Sequence, residues 1–365
     1  MASSPLGNNN DDFNNENESS KKKQTVCVIG AGISGLSAAY LLHQSNAFAV
    51  TVYESEPTAG GHALTREKSK HAGELDVDLG FQVFNLTTYP HLVGLFEELR
   101  VKHEQSDMSF SLQSERTEWG SLGLSGIFAQ KRNLINPKFW NMIREILKFK
   151  KVKHDVLSGS KKEYWEKKTL GEYLRENGYS DYFRDHYVLP MCAAIWSCND
   201  KDALGFPLKP LITFWANHHL LEIFERPVWR VVKGRSKAYV KAVLKALPDG
   251  CVKTGRYVHT VHRYFDDASK SRIKVKTTET KKAATGEQTK EKFDHVIFAC
   301  HAHQALAMIG KNATEKELEI LSNFRTTRNE VVLHDDPQFM PKNRSAWASW
   351  NCKSIGKKGE NDSVC

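Results

Sequence analysis

The sequence predicts an α/β chain: a parallel-sheet nucleotide-binding domain split by a helix-rich α+β insert. Three observations carry this. An apolar, β-branched run, TVCVI at 25–29, enters a GxGxxG turn and an alanine-rich helix within VCVIGAGISGLSAAYLL, residues 26–42. A second strand-like run, FAVTVYE at 48–54, ends in an acid nineteen residues after Gly35. Between about residues 120 and 230 apolar positions recur at helical spacing, and strand-like runs return only after 250.

The first strand is apolar on both faces, as a strand inside a parallel sheet must be. Gly30 makes the tight turn, Gly32 lets the backbone approach a diphosphate, and Gly35 lets the helix pack on the strand. These residues form a Rossmann-like phosphate site, where free amides and the helix dipole favour an anion. Leu36, Tyr40 and Leu41 or Leu42 return at helical spacing. Glu54, ending the second strand, accepts both hydroxyls of an adenosine ribose and repels a 2′-phosphate, which argues against NADP. A glycine turn beside a surface glutamate is the plain alternative, and the register of strand, helix, strand and acid weighs against it.

Composition excludes several classes. The chain of 365 residues is 40% hydrophobic and 26% charged, ordinary values for two globular domains. Its seven cysteines form no CxxC pair, which opposes a zinc ribbon or secreted disulfide scaffold and favours a reducing, cytoplasmic compartment. The net charge of +9 is concentrated at 131–168 and comes with no finger, zipper or RNA-recognition signature, so nucleic acid is not the expected partner. Residues 1–24 read as a disordered tail, with a plastid transit peptide the alternative that Asp11, Asp12, Glu16 and Glu18 disfavour. No apolar run is long enough to span a membrane.

After Glu54 come Gly60 and Gly61 in SEPTAGGHALT, then ELDVDLGFQVFN at 74–85. In this order the sequence resembles the amine-oxidase-like flavoproteins, whose pattern is GxGxxGL, an acid, a GG pair and a DxGxxxF-like stretch. The words GGHALT, VDLGFQVFN, TYPHLVGLFEEL, SDMSFSL, FAQKRNLINPKFWNMIREILKFK, IWSC, NHHLL and RPVWRVV resemble, more narrowly, the amino-terminal flavoprotein region of plant-type cyclopropane fatty acid synthases. That similarity runs from about residue 25 to the last residue.

The resemblance implies FAD as cofactor and a GR2-type flavoprotein fold. Gly30, Gly32, Ser34 and Gly35 would hold the diphosphate and Glu54 the ribose. Gly61 and His62 would lie beside the phosphates or ribityl chain, where the wider superfamily more often has arginine and a neutral imidazole brings less charge. Gly80, Phe81, Gln82 and Val83 would approach the isoalloxazine, and Val258 the adenine. Each has a plain counterpart as a turn or core residue. The superfamily's late glycine-rich segment and the methyltransferase region of the plant enzymes do not follow in these 365 residues, so cyclopropanation is not assigned, and a truncated, non-catalytic fragment or accessory domain stands as one alternative. An NAD-binding dehydrogenase is the other.

The expected organisation is a tail at 1–24, the FAD-binding domain at 25–115 and 231–310, a helix-rich substrate domain at 116–230, and substrate-domain strands with an incomplete carboxy terminus at 311–365. Phe139, Ile143, Ile146 and Leu147 form one helical stripe, Leu170, Tyr173 and Leu174 a second, and Leu211, Phe214, Trp215 and Leu220 a third. Segments 251–261, 272–278, NEVVLHDDP and SAWASWN read as strands, and 280–292 as an exposed loop. The basic stretch 138–157 pairs these apolar residues with Lys138, Arg144, Lys148, Lys150, Lys151 and Lys153, which suits either a solvated core helix or peripheral contact with an anionic membrane.

His301 with His303 and His218 with His219 lack a spaced carboxylate or cysteine partner, so no metal site is expected. Cys192 and Cys198 flank an apolar stretch and read as inert. No GxSxG elbow or ordered triad is found, and no catalytic residue is nominated, because hydride transfer to a flavin needs none beyond the ring. The expected substrate is a small molecule or a lipid acyl group.

Overall fold

The computed structural model describes residues 22–69, 73–222, 226–265, 271–279, 289–326, 328–355 and 362–364. The expected tail lies outside them through residue 21. Strand β1 (Gln24–Ile29) leads into helix α1 (Ile33–Gln44) and strand β2 (Phe48–Tyr53). Together with Val252–Lys253 and His295–Phe298 they form a parallel four-stranded sheet, in the order 252–253, β2, β1, 295–298. Being central, β1 is covered on both faces, and Cys27 and Val28 are fully buried.

One face packs α1 and the helix Ser236–Ala246: Leu36, Ala39, Tyr40, Val240 and Val243 close over Val26, Val28 and Val52. The small face of α1 allows this close approach. Against the other face lies an antiparallel sheet of Tyr257–Phe265, Ser271–Thr278 and Thr289–Phe293. Its Val258, Val261, Val275 and Phe293 meet Cys27, Ile29 and Tyr53. Three layers result, with the helix-to-sheet alternation that buries a parallel strand on both sides.

A separate core belongs to the insert. Phe139, Met142, Phe149, Leu170, Phe183 and Trp215 gather there with Leu112 and Cys352. The last two come from a second sheet, ordered Asp362–Val364, Trp350–Ile355, Phe110–Gln113, Glu118–Gly120. Strand Phe110–Gln113 therefore packs with the insert, although the sequence division at 115 groups it with the nucleotide-binding segment. A small sheet of Phe84–Asn85, Trp229–Val232 and His103–Gln105 returns the chain to the first core, where Phe84 and Val232 are buried.

Several local expectations are corrected. NEVVLHDDP, at 329–337, forms no strand: Val331 and Val332 are about two-thirds exposed (65% and 66%), and β-branched propensity without a sheet edge to pair on does not hold a strand. Within SAWASWN the strand begins only at Trp350, after a 3₁₀ turn at Arg344–Ala346. The segment read as an exposed loop at 280–292 ends in strand Thr289–Phe293, and its residues 280–288 lie outside the described ones. Among the described residues no helix is long and apolar enough to cross a membrane.

Candidate cofactor site

A cleft of about 1290 Å³ opens at the carboxyl ends of β1 and β2, the place where open parallel sheets bind ligands. It exceeds the roughly 300–1,000 Å³ of ordinary small-molecule sites, as an extended dinucleotide requires. Gly30 begins it with φ of +104°, and its N–H donates to the Tyr53 carbonyl at 2.8 Å. A Cβ there would sit 2.5 Å from the Ala299 carbonyl oxygen, so only glycine fits. Gly32 is different. Its φ is −72°, and the nearest protein atom to an added Cβ is the Gly61 Cα at 3.9 Å. Nothing in the protein demands a glycine here, and the space is left to a ligand.

Gly32 is also the N-cap of α1, without a side-chain cap and without an acid in the first turn. The orphan first-turn amides therefore face the cleft beside Ser34. Glu54, only 8% exposed, accepts from the Ala31 N–H through Oε2 at 2.7 Å and from the Glu56 N–H through Oε1 at 2.9 Å. Two backbone amides thus aim the carboxylate, the Ser55 hydroxyl also donates to Oε1 at 3.2 Å, and a lone pair on Oε2 is left for a ribose hydroxyl. The second glycine pair folds onto the first turn: Gly60 N–H donates to the Ala31 carbonyl at 2.8 Å and Gly61 has φ of +57°. His62, Phe81 and Val258 complete the lining from their own elements.

Four sequence-nominated residues do not line the cleft. Gly35 stands behind the turn, where any Cβ would strike the Gly30 carbonyl and lie 3.2 Å from the Ala299 Cβ. Gly80 is held against His62, whose carbonyl accepts from the Phe81 N–H at 2.8 Å, so its glycine serves packing. The Gln82 amide donates to the Asp78 carbonyl at 3.3 Å, and Val83 is half-buried elsewhere. From the run at 80–83 only Phe81 reaches the cleft.

Conversely, the structure adds Tyr89, Tyr239, Arg256, Cys300, His301 and His303. His301 caps the helix Ala302–Ile309, and its ring lies 6.0 Å from His62 and 5.6 Å from His303. The HAH pair is therefore part of the cofactor cleft; among the described residues no group of three ligands could hold a metal. A signal was available, since HAH directly follows a strand ending at the same sheet edge as the glycine turn. Burial pushes the Cys300 thiol up, so it offers no thiolate. Burial also pushes Tyr239 up to about 12, with the Asp78 carboxylate adding to it. The cleft is thus lined by first-turn amides, imidazoles and aromatic rings, by the Glu54 carboxylate beside the glycine turn, and by Arg256, whose guanidinium is paired with Glu279 at 3.0 Å.

These features define an adenine-dinucleotide flavoprotein fold. The chain belongs to the flavin containing amine oxidoreductase family, which it matches over residues 33–354. Among solved structures it resembles a redesigned putrescine oxidase (17% identity, TM-score 0.59) and cyclohexylamine oxidase from Brevibacterium oxydans (16%, 0.59), covering 82% of this chain and 63% of each of theirs. A fatty acid isomerase from P. acnes shares 13% identity at a TM-score of 0.55, again over 82% of this chain and 63% of that one. This chain thus spans less than two-thirds of their length. A segment of 75 residues is 40% identical to Uncharacterized protein R656 of Acanthamoeba polyphaga mimivirus, 20% of this chain and 15% of that protein. The family's cofactor is FAD, and the open space at Gly32, the amide-aimed Glu54 and the size of the cleft fit it.

Proposed function

We propose that this chain is an FAD-dependent oxidoreductase that takes a hydride from a carbon of a lipid-derived acyl substrate. FAD supplies the hydride acceptor when bound. The protein's part is binding, orientation and exclusion of water. The first-turn amides of α1 would hold the diphosphate, Glu54 the ribose, and the backbone at Val258 the adenine. One observation carries the cofactor reading: the Glu54 carboxylate is pinned to the glycine turn, 2.7 Å from the Ala31 amide, inside the same cleft.

The acyl half of the proposal is supported by a second cavity, of about 260 Å³, in the insert. Phe110, Trp119, Ile143, Ile146, Met191 and Trp350 line it. Glu222 at its edge is already held by Lys150 at 2.6 Å and by Lys153, so a cationic amine meets no free counter-charge there. This apolar lining favours a hydrocarbon chain. His218 packs its ring 5.6 Å from Tyr89 of the cofactor cleft, and the adjacent His219 lines the cavity, so the two spaces lie on either side of one dipeptide. The resemblance to the flavoprotein region of plant-type cyclopropane fatty acid synthases points the same way. The fold alone leaves substrate open, since oxidases of amines share it.

Absorbance of the purified protein tests the cofactor, with the expected result a flavin band near one FAD per chain and no binding of NADH. A folded but colourless protein that takes up no FAD would refute it. Anaerobic bleaching of that band by acyl lipids, but not by alkylamines, tests the substrate class; bleaching by amines alone would overturn it.

A further inference from the structure

We infer that the surface built from residues 122–144 docks onto an anionic phospholipid bilayer. Five large apolar side chains are turned outward within this short stretch: Leu122 (49% exposed), Leu124 (74%), Leu134 (51%), Ile135 (85%) and Trp140 (49%). Scattered exposed leucines need no explanation, but a joined group does. These are joined. The Trp140 indole N–H donates to the Leu134 carbonyl at 2.9 Å, and Phe128 packs its ring 5.5 Å from Trp140 and 6.1 Å from the fully buried Phe139. The Leu134–Trp140 part of the patch is therefore anchored in the insert's core through Phe128 and Phe139.

Its charge selects the partner. Residues 119–144 contain Lys131, Arg132, Lys138 and Arg144 and no Asp or Glu. All four cations are exposed. Among the described residues none of them pairs with a carboxylate: Arg144 donates to the Asn141 side chain at 2.6 Å and Arg132 to the Arg116 carbonyl. Uncompensated cations around an apolar tip complement lipid phosphates above a hydrocarbon layer, and Trp140, with its N–H satisfied, suits the boundary between them. A second copy of this chain is the wrong partner, because a two-fold contact would bring the same four cations face to face.

The location differs from the one composition suggested. In the helix Pro137–Lys150, which starts at the Asn136 cap, Phe139, Met142 and Phe149 face the core, and Lys150, with Lys153 of the next helix Val152–Leu157, is committed to Glu222. The outward surface lies at its start and in the preceding turns instead. Ile127, Ile143, Ile146 and Leu147, from the same elements, line the apolar cavity, so the membrane-facing prominence and the cavity share walls. The inference does not rest on the cofactor reading, and its test measures no flavin.

Sedimentation with vesicles of neutral phosphatidylcholine, or of the same lipid mixed with phosphatidylglycerol, provides that test. At low salt the full chain is expected to sediment with anionic vesicles only and to be released as salt rises. The pair Lys131→Glu and Lys138→Glu should lower partition by about tenfold or more, and the pair Leu124→Ser and Ile135→Ser by about tenfold. All four sites are exposed, so an unchanged far-UV thermal transition checks folding. Brominated lipid should quench wild-type emission more than that of Trp140→Phe. Equal sedimentation with both vesicle types, or variants that sediment like wild type, would overturn the inference. So would light scattering that shows the apolar pair abolishing self-association while leaving vesicle binding intact.

Discussion

Adding one methyl group at Gly32 or at Gly35 separates a glycine that serves the ligand from one that serves the fold. At Gly35 the new Cβ meets backbone on one side, 3.0 Å from the Gly30 carbonyl carbon, and the Ala299 Cβ at 3.2 Å on the other. Neither group can swing away, since the Gly30 turn is itself locked by its hydrogen bond to Tyr53. Alanine gains about 1 kcal/mol of helix propensity, while overpacking costs about 1–3 kcal/mol and more where backbone is struck. We expect Gly35→Ala to lose about 2–4 kcal/mol net, a fall in Tm of about 5–15 °C. Gly32→Ala meets nothing nearer than 3.9 Å, so its apo stability should stay within about 1 kcal/mol, the scale of an N-cap change. The same methyl would stand where the diphosphate approaches, and FAD affinity should drop at least about tenfold, or 1.4 kcal/mol. Thermal melts of the apoproteins and quenching of flavin fluorescence measure the two effects separately. Wild-type FAD affinity in Gly32→Ala, or equal loss of Tm in both variants, would refute the assignment of the cleft.

Three further outcomes are expected. Glu54→Gln keeps an oxygen for the Ala31 amide but loses the charge and turns an NH₂ onto the Glu56 N–H; FAD affinity should fall about tenfold or more, read by the same titration, and the apoprotein should lose about 1–3 kcal/mol for the unpaired donor. Hydrogen bonds from Lys150 and then Lys153 hold the Glu222 carboxyl at about 2, below its usual 4.5. Its contribution is therefore complete above pH 4.5 and is lost as pH falls toward 2, where the unfolded chain has already taken up the proton. Glu222→Gln should cost on the order of 1–3 kcal/mol at pH 7 and flatten the stability profile across that window, measured by urea denaturation at stepped pH. Burial raises the Cys27 and Cys192 thiols, both fully buried. Neither should react with an aromatic disulfide reagent at pH 8 until the chain unfolds, and prompt labelling by mass spectrometry would contradict the packing described.

Local features of the chain were legible wherever one short segment held all the necessary residues. The sequence by itself determined β1, the glycine turn, α1 and the acid after β2, because a parallel strand buried on both faces must be apolar throughout and a diphosphate turn must be small. It also determined helices at Leu170–Glu176, where Leu170, Tyr173 and Leu174 are buried, and at Leu208–Asn217, where Leu211 and Trp215 are buried while Phe214 is half-buried and Leu220 lies past the helix end. Tertiary structure alone decided what depends on a distant partner. Gly80 faces the His62 carbonyl rather than the cleft, His301 and His303 join His62 across 240 residues of chain, and Phe110–Gln113 finds its neighbour at Trp350–Lys353. Val331 and Val332 show the converse, strand-forming residues without a strand to pair with. The physical reason is common to all: propensity and spacing act within a few residues, whereas the direction a side chain finally takes is set by whichever surface, brought from elsewhere in the chain, has room for it.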